Sequence, residues 1–316
     1  MTAFPARFSI RRTLVPSSTP DAVEELLKPA EWILEAVSRE VGHLGIVQIE
    51  INSYRDAVGI LFSKAASTFM AIIVLTRAGH DFEAAQLARS LLNLDIDLAY
   101  MTRIGDREEN AQRFMDYGWM DLYKMLKRAR EVYSKKPSDI ETLKAYESHA
   151  ELITSCYEEV RPKFEQEKNR GGKKRRPHHW ARHETIAERA EALGSPYFEH
   201  YQIGYAELSA HEHPGSAGAL HHKRFPERIQ PVEYVAGPAR ARSNMALVVG
   251  CECFLDAFSI FGATFGINAG PIVKTGKKLV EEADEKRNAE TGGRFGKKRS
   301  RQERTPSARP PGKERR

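Results

Sequence analysis

Two junctions constrain this chain more than any other feature. At Gly79-His80-Asp81, and again at Gly105-Asp106, a glycine precedes a residue able to cap a new helix. Glycine reaches the left-handed conformation that closes one helix, and aspartate accepts the free backbone N–H groups that open the next. Connections this short force sequential helices to pack antiparallel. The segments they join are helical by periodicity. From Val47 to Arg77, Tyr54, Val58, Leu61, Ala65, Phe69 and Ile72 recur at intervals of three and four. Between Phe82 and Ile104 the stripe is Leu87, Leu91, Leu94, Leu98 and Met101. From Arg107 to Ser134 it is Met115, Trp119, Leu122 and Leu126.

The flanking sequence extends the same pattern. A helix is predicted from Asp21 to Val41, kinked or split by Pro29. Pro137 stops the third striped segment, and Ser138 can cap a charged helix from Asp139 to Lys168. Its apolar anchors are few, so it is expected to project from the bundle. A short helix, Glu184 to Leu193, and a strongly apolar one, Ala239 to Phe265, complete the set. Glu252 and Asp256 lie in the middle of that apolar run, and an acid at a bilayer centre costs several kcal/mol, which favours a core helix over a membrane span. No useful strand alternation is present. The expected fold is all-α: an antiparallel helical bundle over 21–285, a disordered head over 1–20 and a disordered basic tail over 286–316.

The net charge of +6 is unevenly placed. The tail from Lys286 to Arg316 holds 12 Lys or Arg against 3 Glu, and the loop from Lys168 to Arg182 holds 7 with no acid. Setting aside their +9 and +7 leaves the rest of the chain at −10. A nucleic-acid-binding domain normally carries its basic patch on the folded surface, and that pattern is missing here. The loop and tail offer only nonspecific, salt-sensitive attraction to phosphates, with Trp180 as the loop's one stacking aromatic. Three cysteines, Cys156, Cys251 and Cys253, form no disulfide framework and point to a reduced cytoplasmic setting. Arg7, Arg11 and Arg12, with no acid before Asp21, have the composition of a mitochondrial presequence, although an unstructured N-terminus is the simpler reading.

Chemistry concentrates in Ser195–Gly215, SPYFEHYQIGYAELSAHEHPG. As one helix it sets Tyr201, Tyr205, Ser209 and His213 on a single face, ended by Pro214. The helix C-terminus favours an imidazolium at His213, and the following proline bends the chain there. On the second striped segment the neighbouring face reads Arg89, Asn93, Ile96 and Tyr100, with Asp97 beside it. If the chain acts on RNA or a nucleotide, His213 would transfer the proton, Arg89 or Arg113 would bind phosphate, and Tyr201, Tyr205, Ser209 and Asn93 would position the substrate. The competing reading makes the same side chains a buried hydrogen-bond network. Eight of the 11 histidines lie from His178 to His222, but without zinc-ligand spacing. They are expected to be solvated loop residues, with no metal or cofactor bound.

Arg89 in a helix, RFMDYG at Arg113–Gly118, Trp180, and the series Tyr201, Tyr205, Leu208-Ser209 and His213-Pro214 together resemble the domain-of-unknown-function family 5677. The resemblance covers Ile51 to Phe225. It implies an all-helical fold and a site at those tyrosine, serine and histidine positions, but no activity. In that family a glutamate commonly follows the helical arginine by four residues, where this chain has Asn93. A looser resemblance is to the HEPN-type helical ribonucleases, which pair an arginine and a nearby histidine. The stretch Arg176–His183 has that length, but Pro177 follows the arginine. Proton transfer by histidine and phosphate binding by arginine are the implied chemistry. The functional expectation is an RNA- or nucleotide-directed protein of stress or defence. The alternative is a non-catalytic interaction or structural module.

Overall fold

The computed structural model describes residues 7–10, 21–43, 52–133, 135, 140–165, 179–183, 185–205, 208, 223–224, 233–236 and 243–290. Its helices are α1 (Asp21–His43), α2 (Ser53–Arg77), α3 (Asp81–Arg103), α4 (Arg107–Tyr133), α5 (Ile140–Glu147), α6 (Ala150–Glu165), α7 (Ile186–Leu193), α8 (Tyr197–His200), α9 (Ser243–Phe265) and α10 (Gly270–Glu290). The fold class is all-α. One small sheet accompanies the helices: β1 (Arg7–Ile10) runs parallel to β3 (Glu233–Ala236), and β2 (Lys223–Arg224) pairs antiparallel with β3 on its other side. Strand β1 therefore gives structure to part of the expected head.

Gly79 and Gly105 take φ of 82° and 69°, the left-handed values that make both hairpins possible. At the second, Asp106 accepts from the N–H groups of Glu108 and Glu109 at 2.8 and 3.0 Å, as a cap should. At the first the cap position falls to His80 instead, and Asp81 is buried. Helix α2 packs on α3, α4 and α9, and α9 is enclosed by α1, α2, α3 and α10. Their shared core is aromatic: Phe62 stacks on Phe261 with centroids 4.1 Å apart, and Phe69 on Phe254 at 4.6 Å. The acids of α9 face partners. Asp256 pairs with Lys277 of α10 at 2.9 Å, and Glu252 lies 3.8 Å from His200. By length and composition both Ser53–Arg77 and Asn244–Phe265 are apolar enough to cross a membrane.

Several expectations are corrected. Pro29 sits inside an uninterrupted α1. The charged segment after Pro137 divides into α5 and α6, and α6 packs on α4 rather than projecting, because Tyr157, Val160 and Phe164 are buried there. Tyr123 and Tyr157 stack at 3.7 Å and Tyr117 meets Phe164 edge-on at 5.6 Å, which turns α4 so that Leu122 is 41% exposed. Helix α10 continues through Lys286, where the tail was expected to begin, and Lys286 reaches Glu25 of α1 at 3.1 Å.

Candidate functional site

Helix α3 is apolar on most of its circumference, but one stripe is polar. Arg89, Asn93, Asp97 and Tyr100 follow one another at four, four and three residues, so they share a face about 17 Å long. Covering that face are the segment 179–183, helix α7 and a π-helical turn, Tyr201–Tyr205. The cover is anchored from sequence. Thr185 and Glu188 form a reciprocal capping box at the start of α7, and the π-turn buries Gly204 beside Leu92 and Val249, where an added Cβ would make only ordinary contacts of 3.7 and 3.9 Å.

At one end of the seam an Arg89 guanidinium nitrogen donates to the Tyr205 hydroxyl, and the guanidinium carbon lies 4.3 Å from that ring's centroid. Tyr201 stands against Tyr205, with centroids 4.7 Å apart. All three side chains are half-buried. The expected contact between the 195–213 segment and the Arg89 helix is thus present. It is made through a π-turn, however, and not along a continuous α-helical face. Ser209 and His213 lie outside the described residues. Asn93 sits between the two ends, its Oδ1 buried and without a hydrogen-bond partner among the described residues.

The other end is a tight ionic and aromatic cluster. Arg189 of α7, 4% exposed, pairs with Asp97 at 2.7 Å and donates to the His183 carbonyl at 3.0 Å. His179 Nδ1 faces two donors, the Ala181 N–H and an Arg189 nitrogen, each at 3.1 Å. Neither donor can accept, so the ring proton resides on Nε2, which points at Asp97 Oδ2 from 3.7 Å. Burial and the Arg189 charge drive the His179 pKa down to about 3. Burial raises the Asp97 carboxyl to about 6 despite the pull of Arg189. The Tyr100 hydroxyl and His183 Nδ1 share a hydrogen bond of 2.8 Å. Arg113 donates from Nε to the Trp180 carbonyl at 3.1 Å and lies over the Phe164 ring at 5.1 Å.

The seven candidate residues therefore separate. Arg89 and Tyr205 meet, with Tyr201 on Tyr205 and Asn93 one turn along α3. Arg113 belongs to the far end, held at a backbone carbonyl. His179 and His183, expected as solvated loop histidines, are packed into the seam. His179 accepts at Nδ1 and carries its one proton on Nε2, so its place in the seam is to position Ala181 and Arg189. The residues not foreseen, Asp97, His179, His183 and Arg189, carried one sequence signal: an aspartate on the polar edge of an otherwise apolar helix. Among the described residues no group of three or more His, Cys, Asp or Glu side chains is placed to share a metal ion.

The model for a family of unknown function, DUF5677, matches residues 55–228, more than half of the chain. The match takes in α2 to α8 and both ends of the seam. No curated protein and no solved structure matches the chain, so the looser likeness to HEPN-type ribonucleases has no counterpart there.

Proposed function

The chain belongs to this family of unknown function, and from that premise we propose that it engages a phosphate-bearing ligand, RNA or a nucleotide, where Arg89 meets the π-turn. One observation carries the reading: a half-buried guanidinium seated on the face of one tyrosine of a tilted pair in contact, at an irregular turn. π-turns inside helical segments occur frequently at functional sites. A guanidinium held this way is oriented as an N–H fork suited to a phosphate, and an adjacent phenol ring suits a base. In this scheme Arg89 binds phosphate and Tyr201 and Tyr205 position the base or sugar. Asn93 accepts a hydrogen bond, Ser209 orients the phosphate, and His213 transfers the proton. Arg113 is the weaker choice for phosphate because its Nε is bonded to Trp180. A reduced cytoplasmic setting and a stress or defence role fit this chemistry.

The test uses the full chain with labelled RNA and a panel of nucleotides. Arg89→Gln is expected to weaken binding about tenfold, the loss of one charge-assisted pair. His213→Ala is expected to abolish turnover and keep binding. If no RNA or nucleotide binds, or if Arg89→Gln binds as well as the native chain, the reading fails.

A second reading, a non-catalytic interaction or structural module, has its own support in the Asp97–Arg189–His179 cluster, which resembles a packing device. Stability separates the two. Substituting Ser209 or His213 costs about 1–3 kcal/mol if they complete a buried network, and little if they face a ligand.

A further inference from the structure

Helix α2 packs against α3, α4 and α9 and, more lightly, α1, and leaves a stripe of its surface open. Asp56, Ile60, Ser63, Ser67, Met70, Val74 and Arg77 are all exposed, and they recur at alternating intervals of four and three. That is the seven-residue spacing of a seam between two helices, here about 32 Å long. Ile60, Met70 and Val74 are 46%, 50% and 60% exposed. Scattered apolar side chains on a surface are ordinary, but Ile60 on one side of Ser63 and Ser67 and Met70 with Val74 on the other make a packing surface on one stripe.

The stripe is complementary to itself, and we infer that it docks on α2 of a second copy of this chain, antiparallel about a two-fold axis. In that register Ile60 lies against the partner's Met70 and Ser63 against the partner's Ser67, so the small pair lets the helices approach closely. Asp56 then falls one turn from the partner's Arg77 at both ends. Parallel pairing would set aspartate on aspartate and arginine on arginine, so charge selects the antiparallel arrangement. Arg77 already bonds Glu31 of α1, but a guanidinium has donors enough for both carboxylates. The contact is isologous and closes at two copies.

Sedimentation of the full chain tests this directly, with lipid vesicles as a separate arm. The native chain is expected to sediment at twice the chain mass. Met70→Glu, at an exposed position, is expected to keep its helix content and melting temperature while self-association weakens at least about tenfold. Asp56→Arg weakens it too, and adding Arg77→Asp to that variant restores it. Ser63→Cys with Ser67→Cys forms a covalent dimer under mild oxidation. A native chain that is monomeric at every concentration overturns the proposal, as does a dimer indifferent to Met70→Glu. Vesicle binding that depends on Met70, by an otherwise monomeric chain, assigns the stripe to lipid and overturns it equally.

Discussion

Asp97 and His179 face each other with opposite proton preferences, and the consequence is measurable. Asp97 has a folded pKa of about 6 against an ordinary 3.8, so its contribution to stability is full below 3.8 and is lost as pH rises to 6. His179 has a folded pKa of about 3 against 6.5, so its contribution is full above 6.5 and is lost as pH falls toward 3. Between about pH 4 and 6 the folded chain holds one proton on Asp97 and the unfolded chain one on His179, and the two effects cancel. Asp97→Asn removes that balance. Relative to the native chain, its stability is expected to rise with pH across that window by about 1.4 kcal/mol per unit. Urea midpoints at several pH values check this, and a difference independent of pH would exclude it. Asp95 gives a second case. It is fully buried in α3, and burial raises its carboxyl well above 3.8. A carboxyl raised in this way makes the native fold less stable as pH rises above 3.8, so Asp95→Asn is expected to stabilise the fold increasingly as pH rises above 4. A loss of ~1–3 kcal/mol at neutral pH would show that the charge itself is used.

Elements make different demands. Where α9 ends and the chain turns into α10, a Cβ on Gly262 would stand 2.8 Å from the Ala269 Cβ and 3.0 Å from the Ile267 carbonyl oxygen. Backbone cannot yield there as a flexible side chain would, so Gly262→Ala is expected to cost about 1–3 kcal/mol by chemical denaturation, despite alanine's better helix propensity. On α7, Thr185→Ala removes half of the capping box and is expected to cost about 1 kcal/mol. It should also loosen the Arg189–Asp97 pair that α7 delivers, seen as faster amide exchange along α7. These elements show what could be read in advance. Helices α1 to α4 and α9 announce themselves through apolar spacing and through Gly79 and Gly105, because local conformation and burial ask for the same residues. The π-turn does not, since Tyr201 and Tyr205 have the four-residue spacing of an α-helix, and the turn takes its place against α3 only in the folded chain. The rotation of α4 is illegible for the same reason: Leu122 and Tyr123 are both plausible core residues until Tyr157 arrives from α6. At the site, Arg89 with Tyr205 was legible from spacing. The seam's other end was not, because His179 and Arg189 reach Asp97 only through contacts between residues more than eighty positions apart.

For the molecule as a whole, the placement of charge sets the terms on which a polyanion can approach. Outside the 168–182 loop and the 286–316 tail the chain carries −10, so RNA meets repulsion over most of the body. The Arg89 end of the seam offers one cation over the Tyr205 ring, which on the proposed reading would orient a phosphate but is too little to gather a strand. On that reading encounter would fall to the tail, of which ten basic and two acidic residues lie after Glu290. Truncation after Glu290 turns the chain from +6 to −2. Helix α10 and its Lys286–Glu25 tie remain, so the melting temperature is expected to stay within about a degree. Retention of single-stranded RNA at low salt is expected to fall. The slope of log affinity against log salt should flatten by about 0.7 for each phosphate that the tail had neutralised. The contribution of Arg89, measured as the ratio of native to Arg89→Gln binding, should be the same in both lengths of chain, because one acts on encounter and the other on the seated ligand. An unchanged salt slope after truncation would mean that the tail touches no phosphate. A ratio that collapses to one would mean that Arg89 owes its effect to the tail, which separates gathering from recognition in a single pair of titrations.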